Sequence, residues 1–265
     1  MTRYGAMFER LGERGEGAFG AFAMLGDPDL EGSGRLLDSL VEGGADMIEV
    51  GIPFSDPVAD GPVVQAAAVR ALAAGTRTAD CFRLLAAFRR SHPEVPVGIL
   101  TYANIVVARG RQAFYDAAAA AGVDSVLVAD VPTLEAEPFL AAARAAGVAP
   151  VLIAAPNTPP AILGRIAGEG EGYTYCVARA GVTGADEKVR FASDVIAVLR
   201  KAGAPPPVLG FGISRPEHVR LALEAGAAGV ISGSAIVDRI ARGEDVRPFV
   251  AEMKAATRSP SLRGA

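Results

Sequence analysis

Residues 121–130 read AGVDSVLVAD, in which a glycine precedes a short run of apolar, partly β-branched residues. The same unit, an alanine-rich amphipathic stretch followed by a glycine and an apolar run, recurs at GGADMIEVG (43–51), AGVAPVLIAAP (146–156), AGAPPPVLGFG (202–212) and AGAAGVISGS (225–234). A glycine at this point is typical of a helix C-terminus, and a continuous apolar run is typical of a parallel strand covered on both faces. The repeat therefore predicts helices that alternate with parallel strands.

Eight strands can be placed along the chain, at 18–25, 46–51, 97–102, 124–130, 149–154, 173–178, 208–211 and 228–232. Helices are predicted at 34–42, 63–74, 79–90, 112–121, 135–146, 161–167, 191–201, 217–225 and 246–256. Eight βα units close a barrel, whereas an open doubly wound sheet usually has fewer strands. We predict an α/β fold, a (β/α)₈ TIM barrel that forms a single domain over residues 1–265. An extra N-terminal helix near 4–14 is expected to cap the barrel floor, and the tail 257–265 is expected to be loose.

Composition limits the possible partners and compartments. The chain has 265 residues and is 51% hydrophobic, but no uncharged apolar run approaches the roughly 18 residues of a membrane span. Charges of both signs near the N-terminus do not resemble a secretory signal, so we expect no membrane association and a cytoplasmic location. The net charge of −4 without a lysine-rich block argues against nucleic acid as a partner. The two cysteines, Cys81 and Cys176, suggest neither a disulfide framework nor a zinc site.

Glu49 stands in the second predicted strand, where apolar residues are expected on both sides of it. In barrels of this kind the reacting groups lie at the C-terminal ends of the strands and in the loops that follow. A buried glutamate must be paired, hydrogen-bonded or raised in pKa, and a raised pKa is what a general acid near neutral pH requires. Glu49 is therefore the first catalytic candidate.

The next loop, GIPFSDPVADGP (51–62), is long for a connector. Its three prolines and two glycines restrict the backbone and keep Asp56 and Asp60 near the mouth of strand two. Asp60 is either a second carboxylate of the site or the N-cap of the helix that starts near Pro62. Asp56, which precedes a proline, is more typical of a turn or a partner contact.

Other chemistries lack the residues that they need. A Schiff-base lyase requires a lysine on a barrel strand, but Lys188, Lys201 and Lys254 fall in a loop or in predicted helices. The histidines, His92 and His218, fall in a loop and on a helix, so no metal site is predicted. Acid–base chemistry by carboxylates remains.

Two consecutive glycine-bearing turns predict an anion site. GFGIS (210–214) follows strand seven, and ISGSAIV (231–237) follows strand eight, with Ser234 opening a short helix. Backbone amides in such turns, and a helix N-terminus, favour negative charge, and barrels commonly bind phosphate at this place. Each glycine alone could serve only the tight turn.

Apolar and aromatic residues at the strand ends could form a flat pocket opposite the anion site, namely Phe22, Leu100, Tyr102, Ile153, Tyr175 and Phe211. Each alone is equally typical of barrel packing. The loop RAGVTGADEKVR (179–190) has the composition of a lid that closes over substrate, and Gly184 in it could add an amide to the anion site. The alternative is a surface loop without a gating role.

These stretches together resemble the α subunit of tryptophan synthase. The resemblance rests on EVGIPFSDPVADGP (49–62), YTYCVARAGVTGA (173–185), GFGIS (210–214) and GAAGVISGSAIV (226–237), and LGDP (25–28) and SVLVADVP (125–132) extend it over nearly the whole chain. It implies cleavage of indole-3-glycerol phosphate to indole and glyceraldehyde 3-phosphate in tryptophan biosynthesis. Two positions depart from the family pattern: Ala178 replaces a usual serine and Met24 a common threonine.

The resemblance also implies roles for individual residues. Glu49 would protonate indole C3 and take the proton of the side-chain hydroxyl, and Asp60 would accept the indole N–H. The remaining expected contacts are, for the substrate, Phe22, Leu100, Tyr102, Ala129, Ile153, Tyr175, Thr183 and Phe211, and, for the phosphate, Gly184, Gly212, Ile213, Gly233 and Ser234. Pro53, Asp56 and Arg179 are expected at the interface with a partner.

That partner would be the β subunit, which carries pyridoxal phosphate, in an αββα assembly; no cofactor is implied for this chain. Two further hypotheses stay open. The chain could be an indole-releasing lyase that acts without a β subunit, or a non-catalytic subunit that senses a phosphorylated ligand. The presence of both Glu49 and Asp60 favours catalysis.

Overall fold

Strands alternate with helices along most of the chain. The computed structural model describes residues 1–177 and 185–258, except for the side chains of 185–192. Its strands are Ala18–Met24 (β1), Met47–Gly51 (β2), Val97–Thr101 (β3), Ser125–Val128 (β4), Ala149–Pro150 (β5), Leu152–Ala154 (β6), Thr174–Val177 (β7), Pro207–Gly210 (β8) and Gly229–Ser232 (β9). Its helices are Arg3–Glu13 (α1), Leu30–Glu42 (α2), Pro62–Ala73 (α3), Thr78–Ser91 (α4), Ala103–Val107 (α5), Arg111–Ala120 (α6), Glu137–Ala145 (α7), Pro160–Glu169 (α8), Ala185–Lys201 (α9), Pro216–Glu224 (α10), Ser234–Ala241 (α11) and Arg247–Ala255 (α12), with a 3₁₀ turn at Thr133–Glu135.

The strands form one parallel sheet in the order β5-β4-β3-β2-β1-β9-β8-β7-β6. The two end strands, β5 and β6, are consecutive halves of one barrel strand: the first pairs with β4 and the second with β7. Between them the Val151 amide donates to the Val126 carbonyl at 3.1 Å, which keeps the wall continuous. The predicted (β/α)₈ barrel is thus confirmed. Its fifth strand, predicted as 149–154, is divided near Pro150, which has no amide hydrogen to donate to a ladder.

Alternation along the strands separates two apolar layers. Side chains such as Phe22, Met47 and Tyr175 meet inside the barrel, whereas Phe19 and Ile48 pack outward against the helices. Because successive strand residues point to opposite faces, the neighbours of Ile48 point inward. Glu49 is therefore directed to the barrel interior.

The predicted N-terminal helix is present as α1. Tyr4, Met7 and Leu11 of this helix belong to the interior apolar cluster, and the Tyr4 and Ser125 hydroxyls are hydrogen-bonded at 2.8 Å. At the same end Asp124 forms ion pairs with both Arg3 and Arg89. These contacts close the floor of the barrel, opposite the strand ends that carry the candidate site.

The first two residues of the predicted loose tail are held in place. Thr257 is fully buried and donates to the Lys254 carbonyl at 2.8 Å, and Arg258 pairs with Glu16. The prediction that the tail is loose from residue 257 is therefore wrong for Thr257 and Arg258, because hydrogen bonding of the one and an ion pair of the other hold them in place. Residues 259–265 lie outside the described residues. None of the helices in the described part of the chain is long and apolar enough to cross a membrane.

Candidate functional site

A cavity of about 270 Å³ opens among the C-terminal ends of the strands. Its lining combines two carboxylates, an apolar wall and the glycine-bearing turns: Phe22, Glu49, Asp60, Gly61, Pro62, Val63, Val64, Leu100, Tyr175, Phe211, Gly212, Ile231, Gly233 and Ser234. Nine of these residues are among the candidates drawn from the sequence. Residues far apart in the chain are thus brought to one place.

Glu49 lies on β2 with 3% of its surface exposed. The Tyr173 hydroxyl donates to its Oε1 at 2.8 Å. Burial raises the pKa of Glu49 to about 7, the hydrogen bond from Tyr173 opposes the rise, and the negative charge of Asp60 adds to it. At neutral pH this carboxyl group is therefore divided between its acid and base forms.

Asp60 enters the cavity from the loop between β2 and α3. Its Oδ2 accepts a hydrogen bond from the Tyr102 hydroxyl at 2.8 Å, and its backbone carbonyl accepts one from the Gln65 side chain. Helix α3 has Gly61 as its N-cap, without a side-chain capping bond, and Pro62 in its first turn. The alternative that Asp60 caps this helix is wrong, because its carboxylate points to Tyr102. Burial raises the pKa of Asp60, and the hydrogen bond from Tyr102 opposes the rise.

Tyr102 stands behind Asp60 and is absent from the lining of the cavity. Its hydroxyl accepts the Ala59 amide at 3.2 Å while it donates to Asp60, and its ring stacks on Phe54 with centroids 5.3 Å apart. Its expected contact with the substrate stays a prediction. Tyr102 ties the loop residues Phe54, Ala59 and Asp60 to the end of β3.

The apolar wall comes from strands and from a helix. Phe22, Leu100 and Tyr175 contribute from β1, β3 and β7, as expected from the sequence. Val63 and Val64 of α3 and Ile231 of β9 complete the lining and were not predicted. A ring of this kind is suited to a flat, apolar ligand.

The two glycine-bearing turns meet at one end of the cavity. Phe211 and Gly212 both have left-handed backbones, with φ of 68° and 79°, and Phe211 is 48% exposed. Gly233 is the N-cap of α11, and Ser234 is its first residue. The first amides of a helix have no partner within it, so those of α11 are available to an anion. Ile213 has a buried side chain, and its carbonyl accepts the Ser232 hydroxyl at 2.7 Å.

The other predicted positions lie elsewhere. Ala129 and Ile153 line a second hollow, at the ends of β4 and β6, and pack against the interior cluster. Pro53 borders two surface hollows beside α4, and Asp56 is exposed, with its carboxylate accepting the Ser55 hydroxyl. Arg179, Thr183, Gly184 and Ala178 lie outside the described residues.

Tyr173 was missed although the sequence carried a signal for it. It stands two residues before Tyr175, and residues so spaced share one face of a strand. Its ring lies 6.5 Å from that of Tyr175 and 5.4 Å from that of Tyr4. The two valines of α3 had no such signal, since apolar residues at helical spacing are typical of ordinary packing.

Metal ligands do not gather in the described ranges: 1–177 and 185–258 contain no group of three or more His, Cys, Asp or Glu side chains that could hold an ion. The three lysines lie on helices, Lys188 and Lys201 on α9 and Lys254 on α12. Lys254 is engaged at the barrel floor by Glu16 and Asp46.

Comparison with known proteins agrees with this geometry. The family model of the tryptophan synthase alpha chain matches residues 8–262. Tryptophan synthase alpha chains of Shewanella amazonensis and Klebsiella pneumoniae are 53% and 50% identical, over 97% and 98% of this chain and 100% of each relative. A solved structure from Aquifex aeolicus superposes with a TM-score of 0.91 at 31% identity, covering 98% of this chain and 100% of that one. A tryptophan synthase of M. tuberculosis in an aminoacrylate-bound form gives 0.88 at 27% identity, covering 97% and 100%. The chain belongs to the tryptophan synthase alpha chain family.

Proposed function

We propose that this chain cleaves indole-3-glycerol phosphate to indole and glyceraldehyde 3-phosphate, as the α subunit of a tryptophan synthase. One observation carries the proposal: Glu49 and Asp60 line the same apolar cavity as the turns at Gly212 and Gly233. An indole ring suits the apolar wall, and a phosphoryl group suits amides at the end of a helix. A metal is not required, because the reaction needs only proton transfer and charge stabilisation.

In the first step, protonated Glu49 donates its proton to indole C3, and Asp60 accepts the hydrogen bond of the indole N–H. The negative charge of Asp60 stabilises the positive charge that the ring acquires. The pKa of Glu49, raised by burial to about 7, makes its acid form available near neutral pH.

In the second step, ionised Glu49 takes the proton of the side-chain hydroxyl next to C3. The oxygen forms the aldehyde carbonyl, the bond between this carbon and C3 breaks, and its electron pair returns to the ring and restores indole. Glu49 is then protonated again, so protons and electrons balance over one turnover. The Tyr173 hydroxyl, 2.8 Å from Oε1, orients the carboxyl group in both steps.

The proposed contacts divide the cavity into two ends. Phe22, Leu100, Tyr175 and Phe211 hold the indole ring, and Gly212, Ile213, Gly233 and Ser234 hold the phosphate. Tyr102, Ala129 and Ile153 are proposed as further substrate contacts, the last two from the second hollow. Thr183 is proposed as a substrate contact and Gly184 as a phosphate contact.

We also propose a cytoplasmic αββα assembly with a β subunit. Its support is the family, together with the exposed position of Asp56 and the surface hollows beside Pro53. Arg179 belongs to the same proposed interface. Pyridoxal phosphate is assigned to the β subunit, and no cofactor is assigned to this chain, because two carboxylates suffice for its reaction.

The test is release of indole from indole-3-glycerol phosphate, by the chain alone and with a β subunit. Glu49→Gln keeps the shape of the side chain but can neither give nor take the proton, so we expect turnover to fall by at least about 10³-fold while substrate binding is retained. Glu9→Gln, on the exposed face of α1, serves as the matched control and should leave turnover unchanged. Substantial turnover by Glu49→Gln would remove Glu49 from this role. Absence of indole release by the unmodified chain with its β subunit would contradict the activity itself.

A further inference from the structure

The two glycine-bearing turns are no longer joined by strand pairing where they reach the cavity. Strands β8 and β9 pair at Val208↔Gly229 and Leu209↔Val230. Beyond these pairs, Phe211 takes a left-handed backbone and the chain leaves the ladder. The relative position of the two turns must therefore be set by other contacts.

Ser232, the last residue of β9, supplies such a contact. Its hydroxyl donates to the Ile213 carbonyl at 2.7 Å, and the residue is fully buried. Its neighbour Ile231 lines the cavity, so by strand alternation Ser232 points away from it. Ser232 thus joins the two turns from behind and does not touch a ligand.

The turn that Ser232 holds has an unusual backbone. Phe211 is the one described non-glycine residue with a positive φ, and side-chain-bearing residues keep such a conformation only where their surroundings enforce it. The Ser232 hydrogen bond acts two residues later, at Ile213. On the solvent side, the Ser214 amide donates to His218 Nδ1 at 3.3 Å. The turn is therefore fixed at both of its faces.

We infer that Ser232 is a positioning residue for the anion site: it sets the distance between the amides of Gly212 and of Ser234, and thereby the affinity for the phosphoryl end of the substrate. The inference rests on the proposed function, because it needs these turns to bind phosphate. It predicts an effect on binding of phosphorylated ligands and little effect on the proton transfers at Glu49.

The experiment compares Ser232→Ala with the unmodified chain by calorimetric titration with glycerol 3-phosphate and with inorganic phosphate. Loss of one buried hydrogen bond should weaken binding of both by roughly tenfold. In indole release with a β subunit, the KM for indole-3-glycerol phosphate should rise to the same degree and kcat should change little. Ser33→Ala is the matched control: Ser33 is equally buried and its hydroxyl accepts the Gly26 amide, away from these turns. It should leave both affinities unchanged.

Ser232→Cys keeps a side chain of similar size with a weaker donor, and it should give a smaller loss of affinity in the same direction. This variant decides the matter if Ser232→Ala does not fold. Unchanged affinity in a folded Ser232 variant, or a fall in kcat at constant KM, would overturn the inference. Failure of the unmodified chain to bind either phosphate compound would instead count against the proposed function.

Discussion

The burial of Glu49 raises its pKa into the range useful for proton transfer, and the same burial lowers the stability of the folded chain when Glu49 is ionised. Burial raises this pKa from 4.5 to about 7. The unfolded chain therefore releases the Glu49 proton more easily than the folded one. The contribution of this group to the free energy of unfolding is fully present below pH 4.5 and is lost as the pH rises to about 7. At about 1.4 kcal/mol per pKa unit, the cost above pH 7 is about 3 kcal/mol.

Glu49→Gln removes this titration. We compare the free energy of unfolding of the variant with that of the unmodified chain at two pH values. The difference, variant minus unmodified chain, should be about 3 kcal/mol larger at pH 8 than at pH 4. Denaturant titrations at the two pH values measure the difference. An equal effect at both pH values would show that Glu49 has an ordinary pKa in the folded chain.

The Tyr102 hydroxyl orients the Asp60 carboxylate through a hydrogen bond. Tyr102→Phe keeps the ring stacked on Phe54 but removes the hydroxyl between Asp60 and the Ala59 amide. We expect kcat/KM for indole release to fall by about tenfold, the effect of one hydrogen bond to a charged group. The acidic limb of its pH profile should also move to higher pH, because the bond from Tyr102 lowers the pKa of Asp60.

Tyr115→Phe, at an equally buried tyrosine of α6, is the control and should alter neither quantity. A Tyr102→Phe enzyme with unchanged kcat/KM and pH profile would return Tyr102 to a purely structural role.

Close packing between neighbouring strands fixes the aromatic wall. A Cβ at Gly210 of β8 would lie 2.1 Å from the Tyr175 hydroxyl oxygen, nearer than any real contact allows. Gly210→Ala should therefore displace the Tyr175 ring from the cavity and lower kcat/KM for indole release by about tenfold or more. Gly164→Ala, on α8, meets nothing within 4 Å and should retain activity. Equal activities of the two variants would mean that Tyr175 is not needed in its observed place.

Local patterns predicted most strands and helices because their causes lie within the elements. A glycine follows most of the helices that precede an apolar strand, although α4 has His92 as its C-cap and lacks one. The proline after Gly61 marked the start of α3. Helix α5 was not predicted, since five residues are too few to show a helical period. The break in the fifth barrel strand was also missed, although Pro150 could have indicated it.

The candidate site was predictable where strand ends determine it and less so where packing between elements does. Glu49 and the two glycine-bearing turns stand at strand ends, so the barrel alone brings them together. Val63 and Val64 reach the cavity because α3 packs against β1 and α11, which no local pattern reveals. The same holds for Tyr102, whose role depends on how the loop before α3 folds back over it.

In the described part of the chain, one end of the barrel opens at the cavity and the other end is closed. The floor is held by α1 and by ion pairs of Asp124 and Lys254, whereas the cavity lies among the opposite strand ends. The proposed function requires one orientation of the substrate in this cavity, with the indole between the carboxylates and the phosphate at the turns.

A crystal structure with an uncleavable substrate analogue tests this arrangement most directly. In the analogue, hydrogen replaces the side-chain hydroxyl next to indole C3, so no aldehyde can form. We predict the indole N–H on the Asp60 carboxylate, the Glu49 carboxyl group next to C3, and the phosphate on the amides of Gly212 and Ser234. A phosphate bound away from these turns, or an indole ring out of reach of either carboxylate, would contradict the account.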